Sequence, residues 1–169
     1  SIPEMQTMTG TGVDAVFPIH RAFEMRGTLF HEIQAHKLAL QDLGKAIAIN
    51  SSRAENYFLR GDCLCKLGHY EQALKDYNLA EEKGFADTTA LLASRGAVHR
   101  MLGNSQSAFR DFSAAHDLLD RSDRVGRVRI ISFKAFCLID QHIYDMAHDS
   151  LVVGLKLVDE LINEKVIHY

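Results

Sequence analysis

The sequence predicts an all-α fold, an open solenoid of three to four stacked helix-turn-helix units, and three observations carry that expectation. The pair Arg-Gly stands at Arg26-Gly27, Arg60-Gly61 and Arg95-Gly96, with 34 and 35 residues between successive glycines. The alanines Ala39, Ala73 and Ala108 repeat the same two intervals. Around them small residues accompany aromatic ones, Tyr57, Tyr70 and Tyr77 in the middle copy. Glycine and alanine let two helix backbones approach closely, and the rings fill the gaps beside them.

Taken in order, residues 1–17 lack helical periodicity and are rich in Thr, Gly and Met, which reads as an irregular arm ahead of a repeat domain over 18–169. Pro18 suits a first helical turn. Helices are then expected at about 18–33, 36–49, 54–67, 70–82, 88–102, 105–119, 125–140 and 144–165. The turn signals Asn50-Ser51-Ser52, Gly68, Gly84, Gly103-Asn104 and Ser122-Asp123 fall between them. This divides the domain into units of about 20–53, 54–88, 89–124 and 128–163, the last displaced by extra residues in the stretch Asp120 to Arg129.

The middle unit is the clearest, with Tyr57, Gly61, Leu64, Leu67, Gly68, Tyr70, Ala73, Tyr77 and Ala80 in frame. It resembles the tetratricopeptide repeat, the 34-residue helix-turn-helix family. Phe23, Gly27, Phe30, Ala39 and Leu43 fit the frame before it, and Leu92, Gly96, Leu102, Gly103, Ala108, Phe112 and Ala115 fit it after. Ile131, Ala135, Leu138, Tyr144, Ala147, Leu151 and Gly154 suggest a degenerate fourth copy. The proline usual between units is missing, with Ser51, Phe85 and Asp120 in its place. The resemblance implies a right-handed α-solenoid.

Composition excludes several classes. Apolar residues at 47% and charged ones at 24% place the chain among ordinary folded proteins, not disordered or fibrous ones. A formal charge of −3 gives no global basic field to draw nucleic acid or anionic membranes. No apolar run approaches the length of a membrane span. Cys63, Cys65 and Cys137 are odd in number and set within helices, so a cytoplasmic or other reducing intracellular compartment is expected.

Catalytic and metal chemistry find no support. His31 and His36 are five apart and His142 and His148 six, whereas two ligands on one helical face need four. Cys63, Cys65 and His69 do not converge from one face. Gly10-x-Gly12 lies in the arm, outside a strand-to-helix turn, and no nucleophile elbow or phosphate loop occurs. No enzyme, metal or cofactor is expected.

The expected function is protein-protein interaction. The resemblance implies a peptide or helix bound in the concave groove made by the first helix of each unit. Carried over through the matched glycines, the groove positions are Arg21, Glu24, Thr28, His31 and Glu32, then Glu55, Phe58, Asp62, Cys65 and Lys66. The third unit adds Ala90, Ala93, Ala97, Arg100 and Met101. Acidic at its start, then small, apolar and weakly basic, this surface suits a peptide with a basic half and an apolar half. Phe58 and Met101 are the expected apolar anchors and Asp62 and Arg100 the charged ones. The cationic clamp with which some tetratricopeptide proteins hold acidic chaperone tails is not matched, since Glu24, Thr28, Leu59, Ala90 and Ser94 stand at its places.

An alternative is a scaffold that self-associates through the apolar last helix by Val153, Leu157 and Leu161, or continues a longer solenoid. A third, less favoured reading has RNA bound along the row of Arg26, Arg60, Arg95 and Lys134 and at the basic stretch Arg121 to Arg129. The plainer expectation for the row is local pairing, with Glu24 or Asp62 as partners.

Overall fold

The glycine of each Arg-Gly pair sits where two helices nearly touch. A Cβ added to Gly61 would lie 2.9 Å from Tyr77 Cε1, one on Gly27 2.9 Å from Leu43 Cγ, and one on Gly96 3.0 Å from Phe112 Cε1. The same contact is thus built three times, glycine of the first helix against a large side chain of the second.

The computed structural model describes residues 18–167, with side chains as far as 163. Within it lie α1 (Ile19–Glu32), α2 (His36–Ile49), α3 (Ala54–Lys66), α4 (Tyr70–Glu82), α5 (Thr88–Met101), α6 (Ser105–Leu118), α7 (Arg124–Asp140) and α8 (Tyr144–Ile167). They pack as four sequential pairs, an all-helical solenoid of four helix-turn-helix units. The expected irregular arm, 1–17, lies outside the described residues. First helices also touch one another, α1 with α3, α3 with α5 and α5 with α7, whereas no two second helices approach within 8 Å between Cα atoms. The first helices therefore line one continuous inner surface.

The turn inside each unit passes through a left-handed residue, Gln34, Gly68, Gly103 or His142. Glycine takes that conformation freely, which is why only the two middle turns are conspicuous in the sequence. The irregular spacing before the fourth unit is absorbed by helix, since α7 runs to 17 residues where the earlier helices have 13 or 14. Asp123 caps it, its carboxylate accepting from the Gly126 amide at 2.8 Å. The basic stretch Arg121 to Arg129 therefore lies largely in the first turns of a helix.

The core runs through the seams between units. Ala39 and Leu43 of α2 bury with Cys63 of α3; Ala73 and Tyr77 of α4 with Val98 of α5; Ala108, Phe112 and Ala115 of α6 with Ile130 and Cys137 of α7. No unit closes its own core, as expected for a solenoid. Burial lifts both the Cys63 and Cys137 thiols to about 11. Both are expected to resist a disulfide reagent such as DTNB at pH 8 in the native protein and to react on unfolding, with Cys65, half-buried, reacting first. Absorbance during a urea titration checks this.

The arginine row pairs within each unit, not with Glu24 or Asp62. Arg26 meets Asp42 at 2.5 and 2.9 Å, Arg60 meets Asp76 at 2.6 and 2.6 Å, and Arg95 meets Asp111 at 2.8 and 2.9 Å. The separation is 16 residues every time, from a first helix to the second of the same unit. Each guanidinium makes a two-pronged bond that fixes the crossing of its pair. Arg95 reaches further, to Glu81 of the preceding unit.

Candidate peptide groove

The inner surface formed by α1, α3 and α5 opens at its N-terminal end into a cavity of about 310 Å³. Met25 and Leu29 of α1 and Leu59 of α3 provide its apolar wall, and Thr28 and Glu55 its polar rim. Met25 is 57% and Leu29 58% exposed, an uncommon amount of apolar surface for the inner face of a helix. Their register explains it. Leu59 and Cys63, one repeat later, pack on Ala39 and Leu43 of the preceding unit, and among the described residues no unit precedes the first.

Glu24 anchors the floor. Only 5% exposed, its carboxylate accepts from Arg53 Nη1 and from Asn56 Nδ2, each at 2.9 Å, tying α1 to the start of α3. A buried carboxylate needs such donors, and here they span two units. Thr28 gives its hydroxyl to the Glu24 carbonyl at 2.9 Å. Glu55 is exposed on the rim with Arg53 Nε 3.7 Å away.

Asp62, midway along the groove, receives the Tyr77 hydroxyl proton at 2.6 Å and lies 3.6 Å from His31 Nε2. Burial raises its pKa above the ordinary carboxylate value, partly offset by the Tyr77 hydrogen bond. Phe58 is half-buried and stacks on Phe85 at 4.2 Å, so it shapes the seam between the second and third units. Lys66 is exposed at the end of α3.

In the third unit Ala97 is half-buried against the Phe112 cluster, leaving a shallow floor beside Met101, which is 58% exposed. Arg100 reaches Asp140 of α7 at 2.8 Å and lies over the Phe136 ring at 5.1 Å. It thus bridges the third and fourth units. The structure brings Glu24, Thr28 and Glu55 to one cavity and sets Asp62, Lys66, Ala97, Arg100 and Met101 farther along the same surface.

The sequence reading missed Met25, Leu29 and Leu59 as cavity residues. The available signal was their shared register, apolar at successive copies of one position. Glu24 with Arg53 and Asn56, 29 and 32 residues away, carried no local signal at all.

Behind the groove, burial pushes the His99 imidazole below its usual pKa, opposed by Asp111, and its Nδ1 has no hydrogen-bond partner among the described residues. A histidine whose folded pKa is lowered is favoured neutral in the native state. Its contribution is present in full above the unfolded value of about 6.5 and is lost as pH falls below that value and through the lowered folded one. Thermal melts should therefore shift downward between pH 7.5 and 5.5, and His99→Gln should flatten that dependence.

Among the described residues, no group of three or more His, Cys, Asp or Glu side chains is arranged to hold a metal ion, and no helix is long and apolar enough to cross a membrane.

No family model matches the sequence, and no curated protein does. Solved structures do. A crystal structure of MamA superposes with a TM-score of 0.75 over 88% of this chain and 84% of that one, at 15% identity. YrrB, described as a TPR protein with an unusual peptide-binding site, gives 0.69 over 80% of this chain and 66% of that one, at 19% identity. The TPR2B domain of yeast Sti1, solved with pHsp70, gives 0.52 over 77% of this chain and 96% of that one, at 20% identity. The chain has the tetratricopeptide-repeat fold.

Proposed function

We propose that this chain is a non-catalytic interaction module that takes a peptide or helix along its inner surface. The observation that carries the reading is the cavity of about 310 Å³ on that surface, where exposed Met25 and Leu29 stand beside acidic Glu55. An apolar wall with a charged rim offers burial for an anchor and orientation for its neighbour. Asp62 and Glu55 suit a basic half of the ligand; Ala97 and Met101, together with exposed Phe136 beyond them, suit an apolar half. YrrB and Sti1 TPR2B, with their peptide-binding site and bound pHsp70, make peptide recognition a natural use of this fold.

Selection from a random peptide display library tests it. The wild-type chain is expected to enrich peptides with basic and apolar segments, and Glu55→Lys with Met101→Asp to lose them while keeping native helicity. Equal enrichment by both would sink the groove assignment. These exposed positions are preferable to Asp62 and Arg100, whose bonds to Tyr77 and Asp140 would confound binding with stability.

One observation favours the second reading, self-association or continuation of the solenoid through α8. Leu151 occupies the register of Leu43, Tyr77 and Phe112, at most 1% exposed, yet is 38% exposed itself. Val153, Leu155 and Ile162 are 50%, 63% and 54% exposed, whereas Leu157 and Leu161 are half-buried. Sedimentation across a concentration series, with Leu155→Glu as control, separates a self-associating chain from a monomer.

A further inference from the structure

The fourth unit keeps the cation of the arginine row but not its carboxylate. Lys134 stands where the earlier units have Arg26, Arg60 and Arg95, and Ser150, 16 residues on, stands where they have Asp42, Asp76 and Asp111. Arg127, seven residues before Lys134, matches Arg53, seven before Arg60; Arg53 bonds to Glu24, whose counterpart one unit before Arg127 is Ala93. Two cations have thus each lost the acid that neutralises their equivalents.

The two converge. Arg127, Ile131 and Lys134 share one face of α7, and with His116 of α6 and Ser150 and Val153 of α8 they line a pocket of about 200 Å³ to which, among the described residues, no carboxylate contributes. Arg127 Nε is buried without a hydrogen-bond partner, and Lys134, whose ammonium lies 5.1 Å from the Phe109 ring centre, makes no ion pair among the described residues. Ser150 donates its hydroxyl proton to the Met146 carbonyl at 2.8 Å and, being uncharged, cancels neither charge. In the groove among α2, α3 and α4 the cation of the row keeps its acid, because there Arg60 and Asp76 line the wall as a bonded pair.

We infer that the pocket among α6, α7 and α8 binds a carboxylate of an acidic peptide, which takes the place of the aspartate missing at Ser150. A partly buried cation lacking its counter-ion gains more from an incoming anion than a fully solvated one does. Ile131 and Val153 border the charges, so an acidic residue with aliphatic neighbours fits better than a bare anion. This site lies apart from the inner groove and would give the chain a second, oppositely charged point of contact.

The test uses capped N-acetyl-Leu-Glu-Val-amide, its glutamine counterpart and inorganic phosphate, read by methyl NMR at Ile131 and Val153. The glutamate peptide is expected to give saturable shifts, weakened about ten-fold in the glutamine peptide and in Lys134→Gln. Ser150→Asp is expected to raise the melting temperature while abolishing the shifts, since it restores the internal partner. The inference is overturned if both peptides bind alike, if Ser150→Asp or Lys134→Gln binds as wild type does, or if phosphate alone saturates the site.

Discussion

Tyr77→Ala is expected to cost about 3–5 kcal/mol of unfolding free energy, the range for emptying an aromatic site in a packed core. Tyr77 is 1% exposed, fills the space opposite Gly61, and gives its hydroxyl proton to Asp62 at 2.6 Å. Its loss vacates the joint between α3 and α4 and strips Asp62 of a donor. Tyr77→Phe separates these effects: it keeps the packing and is expected to cost about 1–2 kcal/mol for the stranded carboxylate. Because units touch only their neighbours, the alanine variant should also broaden the urea transition, as the first unit melts apart from the last two. A single sharp transition with an unchanged midpoint would contradict the packing described for this joint.

The second large effect belongs to the ladder of Arg-Asp pairs. Asp76→Ala leaves Arg60 facing a vacated acceptor site. Asp76 is 5% and Arg60 25% exposed at the side chain, so the cost, about 1–3 kcal/mol, is expected below that of a fully buried pair. Asp42→Ala should cost less again, since its partner Arg26 is 57% exposed. Adding Arg60→Met to Asp76→Ala is expected to recover part of the loss, because the unpaired charge goes with it. A double-mutant cycle measures that coupling, and a coupling of zero would reduce the ladder to decoration.

Much of the fold was legible because each signal was local and repeated. Gly27, Gly61 and Gly96 mark close helix crossings, and Ala39, Ala73 and Ala108 mark the partner surface; the structure places the three glycines at such contacts and buries the three alanines completely. The arginine row was equally visible, but its partners were not. Glu24 and Asp62 lie close in sequence to the arginines, and reasoning by short separation favoured them over Asp42, Asp76 and Asp111. The 16-residue spacing becomes meaningful only when the turn folds α2 back on α1. Likewise Gln34 and His142 take the left-handed conformation with no glycine to announce it, although the breaks between the expected helices fall at both turns.

The groove was legible as a surface and less so as a set of functional groups. Glu24 lies at an inner position as expected, yet its carboxylate is held by Arg53 and Asn56, so it supports the cavity from below. Phe58 turns toward Phe85, and Arg100 toward Asp140, each stitching units together along the same face. Repeat register tells which side of a helix a residue occupies. It does not tell which long side chain finds a partner on the next unit, and that decides how much of it remains for a ligand.

The claim that the inner surface is the binding surface is tested most directly by photo-crosslinking. A peptide selected by the wild-type chain would be presented to variants carrying benzoylphenylalanine at Thr28, Lys66 or Met101 on the first helices, and at Lys75 or Ala114 on second helices. The account predicts adducts at the first three positions, with the basic half of the peptide toward Thr28 and its apolar half toward Met101. Adducts confined to Lys75 and Ala114 would place the ligand on the opposite face and contradict it.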